Sequence, residues 1–175
     1  MNPKARLFWP LLLAVFTADC ASKQWADSHL VPEHTPHNII GDFVRFTLAH
    51  NPGAAMSISL GEHSRVGFSL LTLVAIGMML WMYLRAPVAG RLRVAALGLV
   101  MGGAIGNLTS RLISAQGVTD FIDVGTRAWR FWTFNVADIA ISVGAFLLIY
   151  TVWEDERSAG AGGVSQLGTT GGHSQ

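Results

Sequence analysis

At 175 residues, 51% of them hydrophobic and only 13% charged, with a mean hydropathy of +0.41, the chain is too apolar for an ordinary soluble domain. A formal net charge of +1 supplies no basic field for nucleic acid. The single cysteine, Cys20, excludes an intrachain disulfide and a cysteine-rich structural zinc site.

In chain order, Lys4 and Arg6 precede an apolar run, as in a signal peptide. The run continues past Asp19 and Lys23 to Trp25, and no small-x-small cleavage site follows it, so a retained first span is expected over residues 7–26. Asp19 also stands where a lipid-attachment cysteine at position 20 would need a small residue before it. Residues 43–48 have strand-like composition, Asn51-Pro52-Gly53 is a turn signal, and residues 55–60 suit a return strand. Together they predict a small β platform over about 41–62 at the membrane surface. Residues 66–84 carry no charge and form the clearest span. The third, 92–113, contains Gly98, Gly102, Gly103 and Gly106, which permit close helix approach. The fourth, 131–153, is bounded by Trp129 and Trp132 at one end and Tyr150 and Trp153 at the other, aromatics that favour the membrane boundary.

The fold expected is therefore an all-α membrane bundle of four transmembrane helices with a small extracytoplasmic β platform. It forms one domain over 1–157, followed by a disordered Gly/Ser/Thr-rich tail, 158–175. Lys4, Arg6, Arg85, Arg91 and Arg93 place both termini and the short second-to-third connection in the cytoplasm. The longer, more acidic segments then face outward.

Two carboxylates carry the functional reading. Asp120 sits between two apolar runs, and Asp138 lies inside the second of them. An ionisable group in such a run is costly in lipid and marks a functional site. Two acids brought together can share one proton and divide the work of base and acid. Asp123 competes with Asp120, because either could face the site or be a solvated loop residue. Asn135 lies three residues before Asp138, on one helix face. In a purely structural alternative, weighed below catalysis, Asn135 joins helices and Asp138 pairs with a basic residue, for which Arg111 is placed. Asn107 and Arg111, four apart, would turn polar groups inward. Asp19 and Lys23, also four apart, form either a local ion pair with Lys23 snorkelling to the surface or a support for the site. His34 and His37 fall in a Pro-containing loop with no acid cluster to complete a metal site, and surface histidines are expected. The GGAIGN run lacks the preceding strand that a dinucleotide fold requires.

In this order the motifs resemble the prolipoprotein signal peptidase family, signal peptidase II. They are Asp19-x-x-Ser22-Lys23, Asn51-x-Gly53-Ala54-Ala55, Gly103-x-x-Gly106-Asn107 through Arg111, Val118-x-Asp120-Phe121, and Phe134-Asn135-x-Ala137-Asp138. Any one is weak; five in order between four apolar spans are specific. The resemblance implies an aspartic endopeptidase of the bacterial inner membrane that cuts diacylglyceryl-modified prolipoproteins just before the lipidated cysteine. It needs no metal or organic cofactor, works among membrane lipid, and is expected to be a monomer. It implies Asp120 and Asp138 as the catalytic pair, and Asn51, Gly53, Asn107, Arg111 and Asn135 as substrate-shaping residues supported by Asp19 and Lys23. Two positions depart from the pattern. Ser110 stands where an acid usually precedes the arginine, and Met56 stands where an aromatic is usual. The alternative class is a small proton-coupled carrier using Asp138, Asp19 and Lys23 as a relay. A third is a membrane assembly protein whose polar residues are only helix glue.

Overall fold

A computed structural model describes residues 2–52, 64–87 and 90–167, with side chains as far as residue 158. It contains helices α1 (Pro3–His29), α2 (Ser64–Arg85), α3 (Arg91–Ile113) and α4 (Val136–Leu167) and strands β1 (His37–Ile40), β2 (Val44–Asn51) and β3 (Val118–Val124). Each helix holds a stretch long and apolar enough to cross a membrane. Leu70, Leu71, Val74, Phe146 and Ile149 are exposed, as expected where lipid rather than protein covers the helix surface. Gly53, Met56 and the return strand expected over 55–60 lie outside the described residues, as do positions 168–175 of the tail. The described part of that tail continues α4 as helix to Leu167.

The centre of the bundle is α3, the most buried of the four helices, which packs against each of the others. Its glycines make this possible. A Cβ on Gly102 would lie 2.9 Å from the Leu12 carbonyl oxygen of α1, and one on Gly103 would lie 2.5 Å from the Ala137 carbonyl oxygen of α4. Any larger residue would push these backbones apart. At the end away from the sheet, Phe8, Leu12, Tyr83, Val94, Leu97 and Met101 form one apolar cluster. There Lys4 Nζ donates to the carbonyls of Tyr83 (3.1 Å), Leu84 (3.3 Å) and Ala86 (3.0 Å). These are orphan acceptors at the C-terminus of α2, and a cation there also suits the helix dipole.

The opposite end carries an antiparallel sheet in the order β1-β2-β3. Its position differs from the expectation in a way that matters. The strand expected over 43–48 is present as β2, but one of its neighbours is β3, the segment that contains Asp120. Ala26, Leu30, Leu48 and Phe121 are buried together, and Trp25 and Phe46 stack edge-on around Phe121. This apolar contact seats the sheet on the end of α1.

Candidate active site

The chain leaving β3 folds back along it before entering α4. Phe134 N–H donates to the Ile122 carbonyl at 3.0 Å, and the Phe134 carbonyl accepts from the amides of Phe121 (3.0 Å) and Ile122 (2.8 Å). Residues 131–134 therefore run beside β3, and the fourth helix begins at Val136 rather than at Phe131 as expected. Asn135 is the residue that starts it. Asn135 Oδ1 accepts from Asp138 N–H at 3.0 Å, and Asp138 Oδ2 accepts from Asn135 N–H at 3.1 Å. This is a reciprocal capping box. Asp19 adds a third bond from outside the helix, its Oδ1 accepting from Ala137 N–H at 3.0 Å. Asp138 is thus an acid of the first helical turn, where the dipole favours negative charge, and not an isolated acid within an apolar span.

Asp120 reaches the same place from the sheet. It pairs across the strands with Ala49 and accepts at Oδ1 from Asn135 Nδ2 at 2.6 Å, with a further bond from Asn51. Asn107 completes the link: its Nδ2 donates to Asp138 Oδ1 at 2.8 Å and its Oδ1 accepts from Asn135 Nδ2 at 3.2 Å. Two asparagine amides therefore connect the two carboxylates. Both acids line one cavity of about 780 Å³, together with Asn51, Asn107, Arg111 and the aromatics Phe131, Trp132 and Phe134. Asp120 is only 6% exposed. Burial first, and then the charge of Asp138, push its pKa up to about 7.

The rival acid goes elsewhere. Three residues along a strand is an odd step, which turns Asp123 to the opposite face from Asp120. It accepts from Arg45 Nη2 (2.7 Å), Thr47 Oγ1 (3.1 Å) and Arg130 Nε (2.5 Å). Burial works to raise its pKa, but the bonds from Arg130, Arg45 and Thr47 outweigh it and hold the carboxyl below its ordinary range. Asp123 is therefore a buried structural ion cluster, and neither a solvated loop residue nor part of the cavity.

Two further expectations change. Lys23 does not snorkel outward. It is 5% exposed, and its ammonium donates to Asp19 Oδ2 at 2.7 Å and to Asn107 Oδ1 at 2.8 Å. The reason is local: Gly106 lacks the Cβ that would collide with the Asp19 carboxylate, so the pair can sit against α3. Nor does Arg111 form an ion pair with Asp138 among the described residues; Asp138 Oδ1 accepts instead from Asn107, one turn earlier on α3. Arg111 lies across the Phe68 ring, 6.0 Å from its centroid, with its Nε buried and without a hydrogen-bond partner among the described residues. Ser110, in place of the usual acid, bonds back to the Gly106 carbonyl at 3.3 Å. The end of α3 is instead held by Arg65 of α2, which donates to the carbonyls of Arg111 and Leu112. The sequence reading did not single out Arg65. Nor did it single out His50, which lines the cavity with His34 and bonds to Glu33 (2.8 Å) and Asp27 (3.2 Å).

Comparison with known proteins bears on what this cavity is for. The family model for signal peptidase (SPase) II matches residues 11–154, a stretch that contains both aspartates and both linking asparagines. The chain belongs to the signal peptidase II family. A lipoprotein signal peptidase of Hydrogenovibrio crunogenus is 36% identical over 146 residues, covering 79% of this chain and 80% of that one. One of Yersinia pseudotuberculosis is 39% identical over 150 residues, covering 83% and 85%. One of Coxiella burnetii is 39% identical over 155 residues, covering 85% and 93%. Two solved structures of a bacterial membrane enzyme share the fold, with TM-scores of 0.74 and 0.72 at 24% identity, over 83% of this chain and 87% and 91% of theirs. As a member of the signal peptidase II family the chain is a multi-pass membrane peptidase. Of the residues expected at a signal peptidase II site, the cavity gathers Asp120, Asp138, Asn51, Asn107 and Arg111 on its walls. Asn135, Asp19 and Lys23 stand behind them, and Gly53 lies outside the described residues.

Proposed function

We propose that the chain is an aspartic endopeptidase that removes signal peptides from prolipoproteins whose cysteine already carries diacylglycerol, cutting just before that cysteine. The observation that carries this reading is the convergence of Asp120 and Asp138 on one cavity, linked by the amides of Asn107 and Asn135. One carboxyl rises from the sheet and the other sits in the first turn of a membrane helix. A peptide bond at the level of the bilayer surface can therefore lie between them while acyl chains remain in lipid. Lys4, Arg6, Arg85, Arg91 and Arg93 all belong to the end of the bundle away from the sheet. The positive-inside rule puts that end and both termini in the cytoplasm and the cavity at the outer face of the inner membrane. The working unit is a monomer.

The chemistry balances on the two acids. Asp120 begins protonated and Asp138 ionised. Water attacks the scissile carbonyl carbon and gives a proton to Asp138, while Asp120 gives its proton to the carbonyl oxygen. The C–N bond of the resulting diol breaks as Asp138 protonates the nitrogen, and a diol hydroxyl returns a proton to Asp120. Both carboxyls are then restored. Arg111 lines the cavity and offers its guanidinium to a substrate carbonyl, and Asn51 is placed to steady the peptide.

The test uses the purified protein in lipid vesicles with one precursor prepared with and without diacylglycerol on its cysteine. Release of a peptide that ends at the residue before the cysteine, from the lipidated form alone, is expected. Cleavage at another bond, or equal cleavage of both forms, would overturn the reading.

A further inference from the structure

Lys23 lies on α1 and bonds to neither Asp120 nor Asp138. An ammonium group has donors only, and an asparagine amide can be turned either way round. The 2.8 Å contact between Lys23 Nζ and Asn107 therefore admits one orientation: the amide oxygen faces Lys23, and the NH₂ faces Asp138 Oδ1 at 2.8 Å. Turned over, Asn107 would set NH₂ against an ammonium and a carbonyl against a carboxylate. Asn135 agrees, because its Oδ1 is committed to Asp138 N–H and its Nδ2 must then donate to Asn107 Oδ1 and to Asp120. With Asn107 and Asn135 N–H both donating, each oxygen of Asp138 accepts a hydrogen bond. That arrangement suits the ionised form of Asp138. Asp120 also accepts from Asn135 and Asn51, but it is buried where Asp138 is only half-buried, and that burial is what favours keeping the shared proton on Asp120.

The geometry points to Lys23 as a positioning residue for the reaction: by fixing the direction of the Asn107 amide, it holds Asp138 as the charged, water-activating member of the pair. This rests on the two-aspartate reading above and adds to it which residue orients the donor to the charged member. Among the described residues, the charged groups around Asp138 are Asp19 and Lys23 from α1, Arg111 from α3 and Asp120 from β3, while His34 and His50 line the same cavity. Of these, only Lys23 hydrogen-bonds to Asn107.

Lys23→Met alone would strand the Asp19 carboxylate in a buried site, so the test pairs it with Asp19→Asn, which keeps an acceptor for Ala137 N–H. The protein is assayed on lipidated precursor across pH. The doubly substituted protein is expected to lose at least about tenfold in kcat with KM within about twofold. The acidic limb of its kcat profile should move upward by about one pH unit, the size expected when a nearby favourable partner is removed. An unchanged limb with normal kcat would overturn the proposal, as would a defect confined to thermal stability or membrane yield. Should that protein not accumulate, Asn107→Leu gives a second reading. It deletes the NH₂ facing Asp138 without adding a charge, so the same upward shift is expected and a wild-type limb would overturn the proposal. If the wild-type protein does not cleave the precursor at all, it is the peptidase reading that fails. If it does cleave and the limb stays in place, only the role of Lys23 fails.

Discussion

Asn135 and Asp138 cap one another, each side chain accepting the other's backbone N–H at 3.1 Å or less. This single turn of chain starts α4, aims Asp138 into the cavity and brings Asn135 Nδ2 to 2.6 Å from Asp120. Helix initiation and the site are therefore one structure. Asn135→Ala is expected to lose about 1 kcal/mol of stability from the lost cap. Because it also removes a donor to Asp120, kcat should fall by about a hundredfold. Thermal unfolding and precursor cleavage, measured on the same preparation, separate the two losses.

The raised pKa of Asp120, about 7, fixes the sign of two pH effects. If Asp120 must start the reaction protonated, kcat should fall as pH rises through about 7, giving a basic limb that Asp120→Glu displaces. For stability, the unfolded carboxyl titrates at its ordinary 3.8 and the folded one near 7. Between those values only the folded state holds the proton, so stability falls with rising pH across that window and the loss is complete above it. Asp120→Asn cannot ionise. It should therefore flatten this part of the stability profile and be relatively more stable than wild type at pH 8, as measured by thermal unfolding at pH 5 and pH 8.

Asp123 provides the control for Asp120. Its carboxylate joins Arg45, Thr47 and Arg130, tying β2 to β3 and to the segment that leads to Asn135. Asp123→Ala would leave two partly buried guanidiniums without their acid and should cost about 3 kcal/mol. Asp123→Asn, which retains an acceptor, should lower the unfolding temperature yet still cleave precursor at a measurable rate. Equal loss of cleavage in Asp123→Asn and Asp120→Asn would show that the strand face had been misassigned.

Arg111 lies beside Phe68 on the cavity wall, and its buried Nε has no hydrogen-bond partner among the described residues. In the proposed role, its guanidinium holds a substrate carbonyl and contributes to binding in the ground and transition states alike. Arg111→Met is then expected to raise KM about tenfold, the worth of one hydrogen bond to a charged group, with kcat changed much less. Steady-state kinetics on lipidated precursor make the check.

The four spans were legible because lipid demands uninterrupted apolar runs, and the glycines of α3 were legible because close helix contacts demand small residues. Asp120 and Asp138 stood out as acids where acids are costly. The strand around Asp120 was not legible, since Val118-Thr119-Asp120-Phe121-Ile122-Asp123-Val124 carries two acids and reads as a polar connection between spans. Its β character depends on pairing with β2, far away in sequence. The start of α4 was hidden by Phe131 and Trp132, which extend the apolar run past the true boundary. The Asn135-x-x-Asp138 cap signature marks the boundary only if read in preference to hydropathy. Lys23 was ambiguous for a similar reason. Spacing gives its pairing with Asp19, but its second partner, Asn107, is 84 residues away.

The central claim is that Asp120 and Asp138 act together on one peptide bond. The most direct measurement is cleavage of a diacylglyceryl-modified precursor by purified Asp120→Asn and Asp138→Asn proteins, each first shown to be inserted in membrane and folded. Both are expected to lose at least about a thousandfold in kcat, because neither carboxyl alone can both take the water's proton and supply one to the carbonyl. Wild-type cleavage by either protein would contradict the account.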